Sequence, residues 1–269
     1  MTENGKERHR TMPAERRLEI SEMFANKRVV RIDELAERFD VSRETIRRDL
    51  ITLEDRGVIE RVHGGGIRHE IASSEPPFEE RLVQQAEEKE AIARLAADLI
   101  AGAHTVFLDV GTSVARLVEV LRDTFSGDVI TNSILAAQML APRRDLSVLL
   151  TGGRLRHGDL ALSGPNAVAT LRDVFVEVAL LGSGGVDAEH GLTDFYPEEI
   201  DSRRVVIANA NRSLVMADST KIGKIATHRV VPLERLTGVI TDDGISIEHQ
   251  TAISGLDIEL HIAPLPESG

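Results

Sequence analysis

Three arginines lie within one ten-residue stretch, VSRETIRRDL, at positions 41–50. A guanidinium can donate two parallel hydrogen bonds to a guanine edge or to a phosphate, so arginines clustered on one helix face are suited to binding DNA. Ile46, Leu50 and Leu53 recur at helical spacing, and we expect them to face a core. The face opposite the apolar residues carries Arg43, Thr45, Arg47 and Arg48. The alternative to DNA binding is that this face is solvated and its charges form ion pairs within the helix.

The flanking sequence predicts the elements that position this helix. Ser42 is suited to cap its start and Gly57 to end it. The order of elements is typical of a winged helix-turn-helix, which we place at residues 13–69 after a flexible tail at 1–12. The predicted elements are helices at 13–26, 32–39 and 43–56, a short strand at 29–32 and a hairpin at 58–69. The predicted DNA contacts are Ser42, Arg43, Thr45, Arg47 and Arg48 on the helix, and His63 and Arg68 on the wing.

The charge of the chain is unevenly distributed. Of 269 residues, 32 are Lys or Arg and 44 are Asp or Glu, a formal net charge of −12. Residues 1–70 hold 15 of each sign, whereas residues 71–269 hold 17 basic and 29 acidic residues. Only the surface that meets DNA needs to be basic, and acidity elsewhere limits non-specific binding to nucleic acid.

Beyond residue 88, strand and helix patterns alternate, which predicts a parallel sheet covered by helices. We place this α/β domain at residues 89–269 and an extended linker, containing Pro76 and Pro77, at 70–88. Ligands of such sheets bind beyond the carboxyl ends of the strands. Four predicted strand ends carry small polar residues: Asp109 to Ser113, Thr131 to Ser133, Thr151 to Gly153 and Asp218 to Lys221.

These strand ends are suited to a small phosphorylated ligand. Gly111, Thr112 and Ser113 lead directly into a predicted helix, whose first N–H groups attract an anion, and Lys221 could add a positive charge. The alternative is that each stretch is an ordinary helix cap or turn. Asp194, Glu198 and Glu199 form an acidic patch, either a solvated loop or a source of contacts to ligand hydroxyls, with Glu198 our choice.

Other signals exclude several classes of function. The chain has no cysteine, and its nine histidines are scattered without metal-ligand spacing, so we expect no metal site. GSGGVD at 182–187 lacks the third glycine of a dinucleotide fingerprint, there is no Walker loop, and we expect no cofactor. The N-terminus is polar and the apolar runs are short, so we expect a cytoplasmic protein without a membrane partner.

The chain resembles the DeoR family of sugar-metabolism regulators over about residues 13–244. The motifs that carry the resemblance are VSRETIRRDLITLEDRGVIERVHGG, PPFEERL, LDVGTS, TNS, TGG, GLTD and ADSTKIG. The family usually has alanine after the wing glycines, so Gly66 should loosen the wing slightly. The resemblance implies a sensor domain similar to ribose-5-phosphate isomerase and the CoA-transferase fold. It also implies a sugar-phosphate site at Asp109, Gly111, Thr112, Ser113, Asn132, Ser133, Gly152, Gly153 and Lys221.

The resulting hypothesis is a repressor of a carbohydrate-metabolism operon that is released from its double-stranded DNA operator by a phosphorylated sugar. One winged helix reads only a short site, so we expect a homo-oligomer of at least two chains. An activator or dual regulator is an open alternative. A sugar-phosphate isomerase with an attached DNA-binding module is a further alternative, which the lack of lysine in GVDAEHGLTDFYPEEID disfavours.

Overall fold

The computed structural model describes residues 13–26, 29–54, 59–62, 64–68, 71–72 and 75–266. The chain divides into two units, Met1–Glu70 and Ile71–Gly269. No helix in the described part of the chain is long and apolar enough to cross a membrane.

The first unit has the predicted winged helix-turn-helix architecture. Its helices are α1 (Pro13–Asn26), α2 (Ile32–Phe39) and α3 (Arg43–Glu54), and its strands are β1 (Val29–Arg31), β2 (Ile59–Val62) and β3 (Gly65–Arg68). The strands form an antiparallel sheet in the order β1-β3-β2. Ile46, Leu50 and Leu53 of α3 are buried against Ile20 and Phe24 of α1, as their spacing predicted.

Gly66 has a packing role in the wing rather than the loosening role that we expected. It is buried in β3, and a Cβ at this position would lie 2.8 Å from Cζ of Phe24 and 2.9 Å from Cδ1 of Ile59. The absence of a side chain therefore lets β3 lie directly on the core of the winged helix.

The second unit is built on a seven-stranded parallel sheet in the order β17-β16-β13-β10-β5-β6-β7. These strands are β5 (Thr105–Leu108), β6 (Gly127–Thr131), β7 (Leu146–Leu150), β10 (Val176–Leu181), β13 (Ala210–Met216), β16 (Gly238–Asp242) and β17 (Glu259–Ala263). Its helices are α4 (Phe78–Val83), α5 (Ala86–Leu99), α6 (Thr112–Thr124), α7 (Ile134–Leu140), α8 (Pro165–Arg172), α9 (Pro197–Asn209) and α10 (Ile247–Ser254).

Each face of the sheet has its own apolar core, because successive strand residues point to opposite faces. Val106 and Leu108 pack with α5 and α6 on one face, whereas Phe107 belongs to the other core, with Val206 of α9. After β5 the chain adds β6 and β7 on one side of β5. It then returns to the other side of β5 and adds β10, β13, β16 and β17 in that order. This reversal of strand order opens a crevice at the carboxyl ends of β5 and β10.

Short strands outside the main sheet were not predicted. They are β4 (Ile71–Ala72), β8 (Arg154–Arg156), β9 (Ala161–Ser163), β11 (Gly185–Asp187), β12 (Gly191–Asp194), β14 (Ile225–Ala226) and β15 (His228–Val231). β11, β12 and β15 form one antiparallel sheet and β8 and β9 a hairpin. β4 pairs with β14. Much of the expected extended linker is therefore structured, since β4, α4 and the start of α5 lie within residues 70–88. The domain boundaries that we predicted remain predictions.

We expect the substitution Gly153→Ala to lower the free energy of unfolding by about 2–4 kcal/mol. Gly153 has φ +118° and a Cβ there would lie 2.5 Å from the carbonyl oxygen of Ser163 in β9. Denaturant unfolding measures the change. Gly102→Ala is the matched control, because Gly102 is exposed and a Cβ at its position would have no atom within 4 Å. Equal stability of the two variants would contradict the packing role of Gly153.

Candidate functional site

The arginines of α3 are exposed and held only by surface ion pairs. Arg43 Nε lies 2.7 Å from Asp33 Oδ1, and Arg47 and Arg48 lie 3.5 and 3.7 Å from carboxylate oxygens of Glu44. Exposed pairs of this kind contribute little stability, so these guanidinium groups can exchange carboxylates for phosphates or base edges.

Ser42 and Thr45 contribute mainly to the geometry of α3. The Ser42 hydroxyl accepts a hydrogen bond from the Thr45 backbone N–H at 3.1 Å and lies 2.9 Å from the Thr45 hydroxyl, so it caps the helix. His63 lies outside the described residues. Arg68 lies in β3, but its side chain is outside the described part.

A cavity that is partly open to solvent lies where β5 and β10 end. Gly111, Thr112, Ser113 and Lys221, four of the residues predicted to contact a ligand, line it. Gly111 precedes α6 with φ 125°, a conformation that favours glycine, and no side chain caps this helix. Ser133 and Ser246, in contrast, cap α7 and α10. The first N–H groups of α6 can therefore donate hydrogen bonds to an anion in the cavity.

Lys221 is the cavity-lining cation with the fewest internal partners among the described residues. Its Nζ donates to the carbonyl oxygen of Ser183 at 2.5 Å. Within the described part of the chain, the three arginines that line the cavity each have a carboxylate within 4 Å, whereas Lys221 has none. Burial lowers its pKa, which the charges of Asp218 and Glu75 partly oppose. An incoming anion would supply the partner that Lys221 lacks.

In the cavity wall, Arg203 of α9 is buried among three carboxyl groups. Its Nε lies 2.7 Å from Asp109 Oδ2, its Nη1 contacts Asp194, and its Nη2 lies 3.1 Å from Glu199 Oε2. Asp109 also accepts from the Gly182 backbone N–H, at 3.1 Å. This cluster joins the end of β5, the end of β12 and the first turn of α9.

A second arginine, Arg156 of β8, extends the cluster. Its Nη2 lies 2.7 Å from Glu199 Oε1 and contacts Asp159, and its guanidinium stacks on the Tyr196 ring, 3.5 Å from the centroid. With Asp109 and Asp194, four carboxyl groups thus face two guanidinium groups. Burial raises the pKa of Glu199 to about 8, although both arginines oppose this shift. Neither Glu199 oxygen has hydrogen-bond geometry to its arginine neighbours, and we infer that Glu199 keeps its proton at neutral pH.

The other predicted ligand residues lie away from the cavity wall. Asn132 donates from Nδ2 to Asp109 Oδ1 at 3.1 Å, so both residues support the wall from behind. Ser133 caps α7, while Gly152 and Gly153 do not line the cavity. These five residues were predicted as direct ligand contacts, and in the structure their observed contacts are internal.

Glu198, our choice within the acidic patch, does not line the cavity. Helix α9 begins at Pro197, so Glu198 and Glu199 lie in its first turn. Consecutive helical residues point about 100° apart. Glu198 is consequently exposed, whereas Glu199 is buried and lines the cavity together with Asp194.

The segment that we expected to be a linker supplies two further cavity residues. Arg81 of α4 lies with its Nη1 2.7 Å from Glu75 Oε1, and the two side chains are only 9% and 10% exposed. Arg81 Nε also donates to the Pro76 carbonyl oxygen at 3.0 Å. The PPFEERL motif was the signal available in the sequence, because a specific motif is unexpected in a mere connector. Arg156, Asp159 and Tyr196 had no comparable signal.

No group of three or more His, Asp or Glu side chains in the described part of the chain could hold a metal ion. The cavity instead offers helix N–H groups, hydroxyls, guanidinium groups and an ammonium group, which bind oxyanions.

Two family models match the chain. Residues 16–71 match the DeoR-like helix-turn-helix domain, and residues 84–243 match the DeoR C terminal sensor domain. The chain belongs to the DeoR family. As a DeoR-family protein with this winged helix, it is a DNA-binding transcriptional regulator.

Relatives of this DeoR-family chain match it over most of its length. It is 32% identical to the uncharacterized HTH-type transcriptional regulator YulB of Bacillus subtilis, over 95% of this chain and 99% of YulB. It is 33% identical to the HTH-type transcriptional repressor CsqR of Escherichia coli, over 82% and 84% of the two chains. It is 29% identical to the glycerol-3-phosphate regulon repressor of E. coli, over 90% and 96%.

Among solved structures, a ribose 5-phosphate isomerase from Methanocaldococcus jannaschii matches this DeoR-family chain with a TM-score of 0.38 and 18% identity. The match covers 52% of this chain and 55% of the isomerase.

We expect Arg203→Met to destabilise the sensor unit by about 3–5 kcal/mol, because it leaves three buried carboxyl groups without their shared cation. Denaturant unfolding followed by circular dichroism measures this loss. The control is Arg172→Met, which removes an exposed arginine on α8. A loss no larger than that of the control would show that the buried cluster does not need its cation.

Glu199→Gln, in contrast, should change stability little at neutral pH, because glutamine resembles the protonated acid. The folded protein keeps this proton between about pH 4.5 and about 8, whereas the unfolded chain releases it. The wild type should therefore lose stability relative to Glu199→Gln as pH rises through this window. Parallel pH profiles of the two proteins would refute the raised pKa.

We expect Arg47→Ala to weaken operator binding by about 1–3 kcal/mol if Arg47 contacts a base. Arg94→Ala is the matched control, since Arg94 is an exposed helical arginine paired with Glu90 in the second unit. Fluorescence anisotropy on operator DNA compares the two. If the two variants bind operator DNA with equal affinity, Arg47 does not contact the DNA.

Proposed function

We propose that the protein is a transcriptional repressor of a carbohydrate-metabolism operon, and that a phosphorylated sugar bound in the sensor cavity releases it from DNA. This proposal rests on one observation. An uncapped helix start, that of α6, and a lysine without a carboxylate partner among the described residues, Lys221, line the same cavity. Together they suit a phosphate monoester, with amides and hydroxyls as donors and Lys221 as a point charge.

The remaining cavity residues suit the sugar part of such a ligand. Asp159 and Asp194 offer carboxylate oxygens that accept hydrogen bonds from hydroxyls, and Ser183 adds a hydroxyl. The names of two repressors among the relatives support the proposal that this protein represses a carbohydrate-metabolism operon. One is the glycerol-3-phosphate regulon repressor, and another is a putative aga operon transcriptional repressor of E. coli O157:H7, 27% identical over 96% of this chain.

We propose further that the cavity binds its sugar phosphate without converting it. Isomerisation requires a base that can remove a proton next to a carbonyl. Among the described residues, all four carboxyl groups that line the cavity, Glu75, Asp159, Asp194 and Glu199, lie within 4 Å of an arginine guanidinium nitrogen. A turnover assay on pentose and hexose phosphates tests this point, and any sustained conversion would restore the isomerase alternative.

We propose that the functional form is at least a dimer acting on double-stranded DNA in the cytoplasm. A single winged helix contacts one half-site, and two are needed for a long, specific operator. In vitro transcription from the regulated promoter distinguishes the proposed repressor from an activator or dual regulator, because only a repressor lowers basal transcription.

The primary test is a gel shift on DNA upstream of the protein's own gene, titrated with a panel of phosphorylated sugars. We expect one compound to release the DNA. Tight binding that no compound alters would refute the sensor part of the proposal while leaving the DNA-binding part intact.

Lys221→Ala should abolish release by the active compound and leave operator affinity unchanged, because it removes the cation that the phosphate is proposed to pair with. Lys224→Ala is the matched control, three residues away and exposed. A retained response in Lys221→Ala would show that the phosphate binds elsewhere.

A further inference from the structure

The first part of the second unit contributes to the sensor cavity. The winged-helix unit ends at Glu70, and Glu75, five residues later in the sequence, lines the cavity. Arg81 of α4 lines it as well. A ligand in this cavity would therefore meet the chain that leads to the DNA-binding unit.

Glu75 already acts as an anion within this site. Its carboxylate lies 2.7 Å from Arg81, and both side chains are almost completely buried. Burial raises the pKa of Glu75, while the charges of Arg81 and Lys221 act in the opposite direction. Glu75 thus lies within the electrostatic reach of the same lysine that the proposed function assigns to the phosphate.

Arg81 is held by contacts other than its ion pair with the Glu75 carboxylate. Its Nε donates to the Pro76 carbonyl oxygen, its guanidinium lies 5.5 Å from the centroid of the Phe78 ring, and its own carbonyl oxygen accepts from the buried Lys89 ammonium. If Glu75 departs, Arg81 remains at the cavity and can offer its guanidinium to another oxyanion. Arginine binds phosphate through two parallel hydrogen bonds, so a phosphate can replace the carboxylate.

The start of the same segment pairs with a strand that follows Lys221 closely in the sequence. Ile71 and Ala72 pair with Ile225 and Ala226 of β14, which begins four residues after Lys221. The segment 71–81 is therefore paired with β14 at its start and carries the cavity residue Arg81 at its end.

We propose that Arg81 is a phosphate-binding residue of the effector site, and that Glu75 occupies it as an internal counter-anion until an effector phosphate displaces the carboxylate. This inference rests on the proposed function. Displacement releases the residues that join the sensor to the winged helix, and it provides the unequal binding to two states that a switch requires.

The test uses full-length protein in a phosphate-free buffer with inorganic phosphate as the probe, followed by calorimetry. We expect Glu75→Gln to bind phosphate about ten-fold more tightly than the wild type, a coupling of ordinary size for two interacting sites. Arg81→Met should weaken binding, and in that background Glu75→Gln should have no further effect. Glu79→Gln, on the exposed side of the same helix turn, is the matched control and should leave affinity unchanged.

Amide hydrogen exchange over residues 71–75 provides a second readout that does not depend on Arg81→Met being well folded. Phosphate should accelerate exchange there in the wild type, and Glu75→Gln should show fast exchange without phosphate. Unchanged or weaker phosphate affinity in Glu75→Gln, together with unchanged exchange, would overturn the displacement while leaving a Lys221-dependent site intact. If the wild type binds no phosphate and no phosphorylated sugar, both the proposed function and this inference fail.

Discussion

A buried guanidinium is tolerated only where carboxylates replace its lost hydration, and Arg203 imposes this constraint on the sensor unit. Its three acidic partners come from the end of β5, the end of β12 and the first turn of α9. Asp109 also accepts from the backbone of Gly182, which fixes the end of β10. The elements that wall the cavity are thus held by one charge, and the cavity shape depends on it.

The same charge pairing explains how an acidic domain can bind an anion. The second unit carries the whole net charge of −12, which opposes an approaching phosphate. Beyond a Debye length of about 8 Å, however, that charge is largely screened at physiological ionic strength. Inside the cavity each arginine has a carboxyl group within 4 Å, whereas the N–H groups of α6 have no side-chain cap and Lys221 has no carboxylate within 4 Å among the described residues. The ion pairs within the cavity, rather than the net charge of the unit, therefore decide whether an anionic ligand can bind.

The sequence predicted what depends on local pattern. Helical spacing identified the buried and exposed faces of α3, and the strand-end motif at Gly111 to Ser113 identified the uncapped helix start that lines the cavity. Arg203 could not be found in this way, because its bond to Asp109 joins residues 94 positions apart. The sequence could not distinguish Glu199 from Glu198, because Pro197 and the two glutamates fit a loop as well as the first turn of a helix. The role of Arg81 depends on tertiary packing of a segment whose prolines indicated extended chain.

A tethered internal anion also sets the concentration at which a sensor responds. A group held on a short loop competes at an effective concentration of the order of millimolar or more, so an external ligand must exceed its advantage. A phosphate monoester carries about −1.5 to −2 charges against −1 for a carboxylate, and it can engage Arg81, Lys221 and the α6 amides together. The external ligand therefore gains from several donors at once, whereas the ion pair of Glu75 within the described part of the chain is with Arg81 alone. In the proposed switch, this competition prevents weakly binding anions from displacing the Glu75 carboxylate. Release of the connecting segment is then a direct consequence of phosphate binding rather than a separate event.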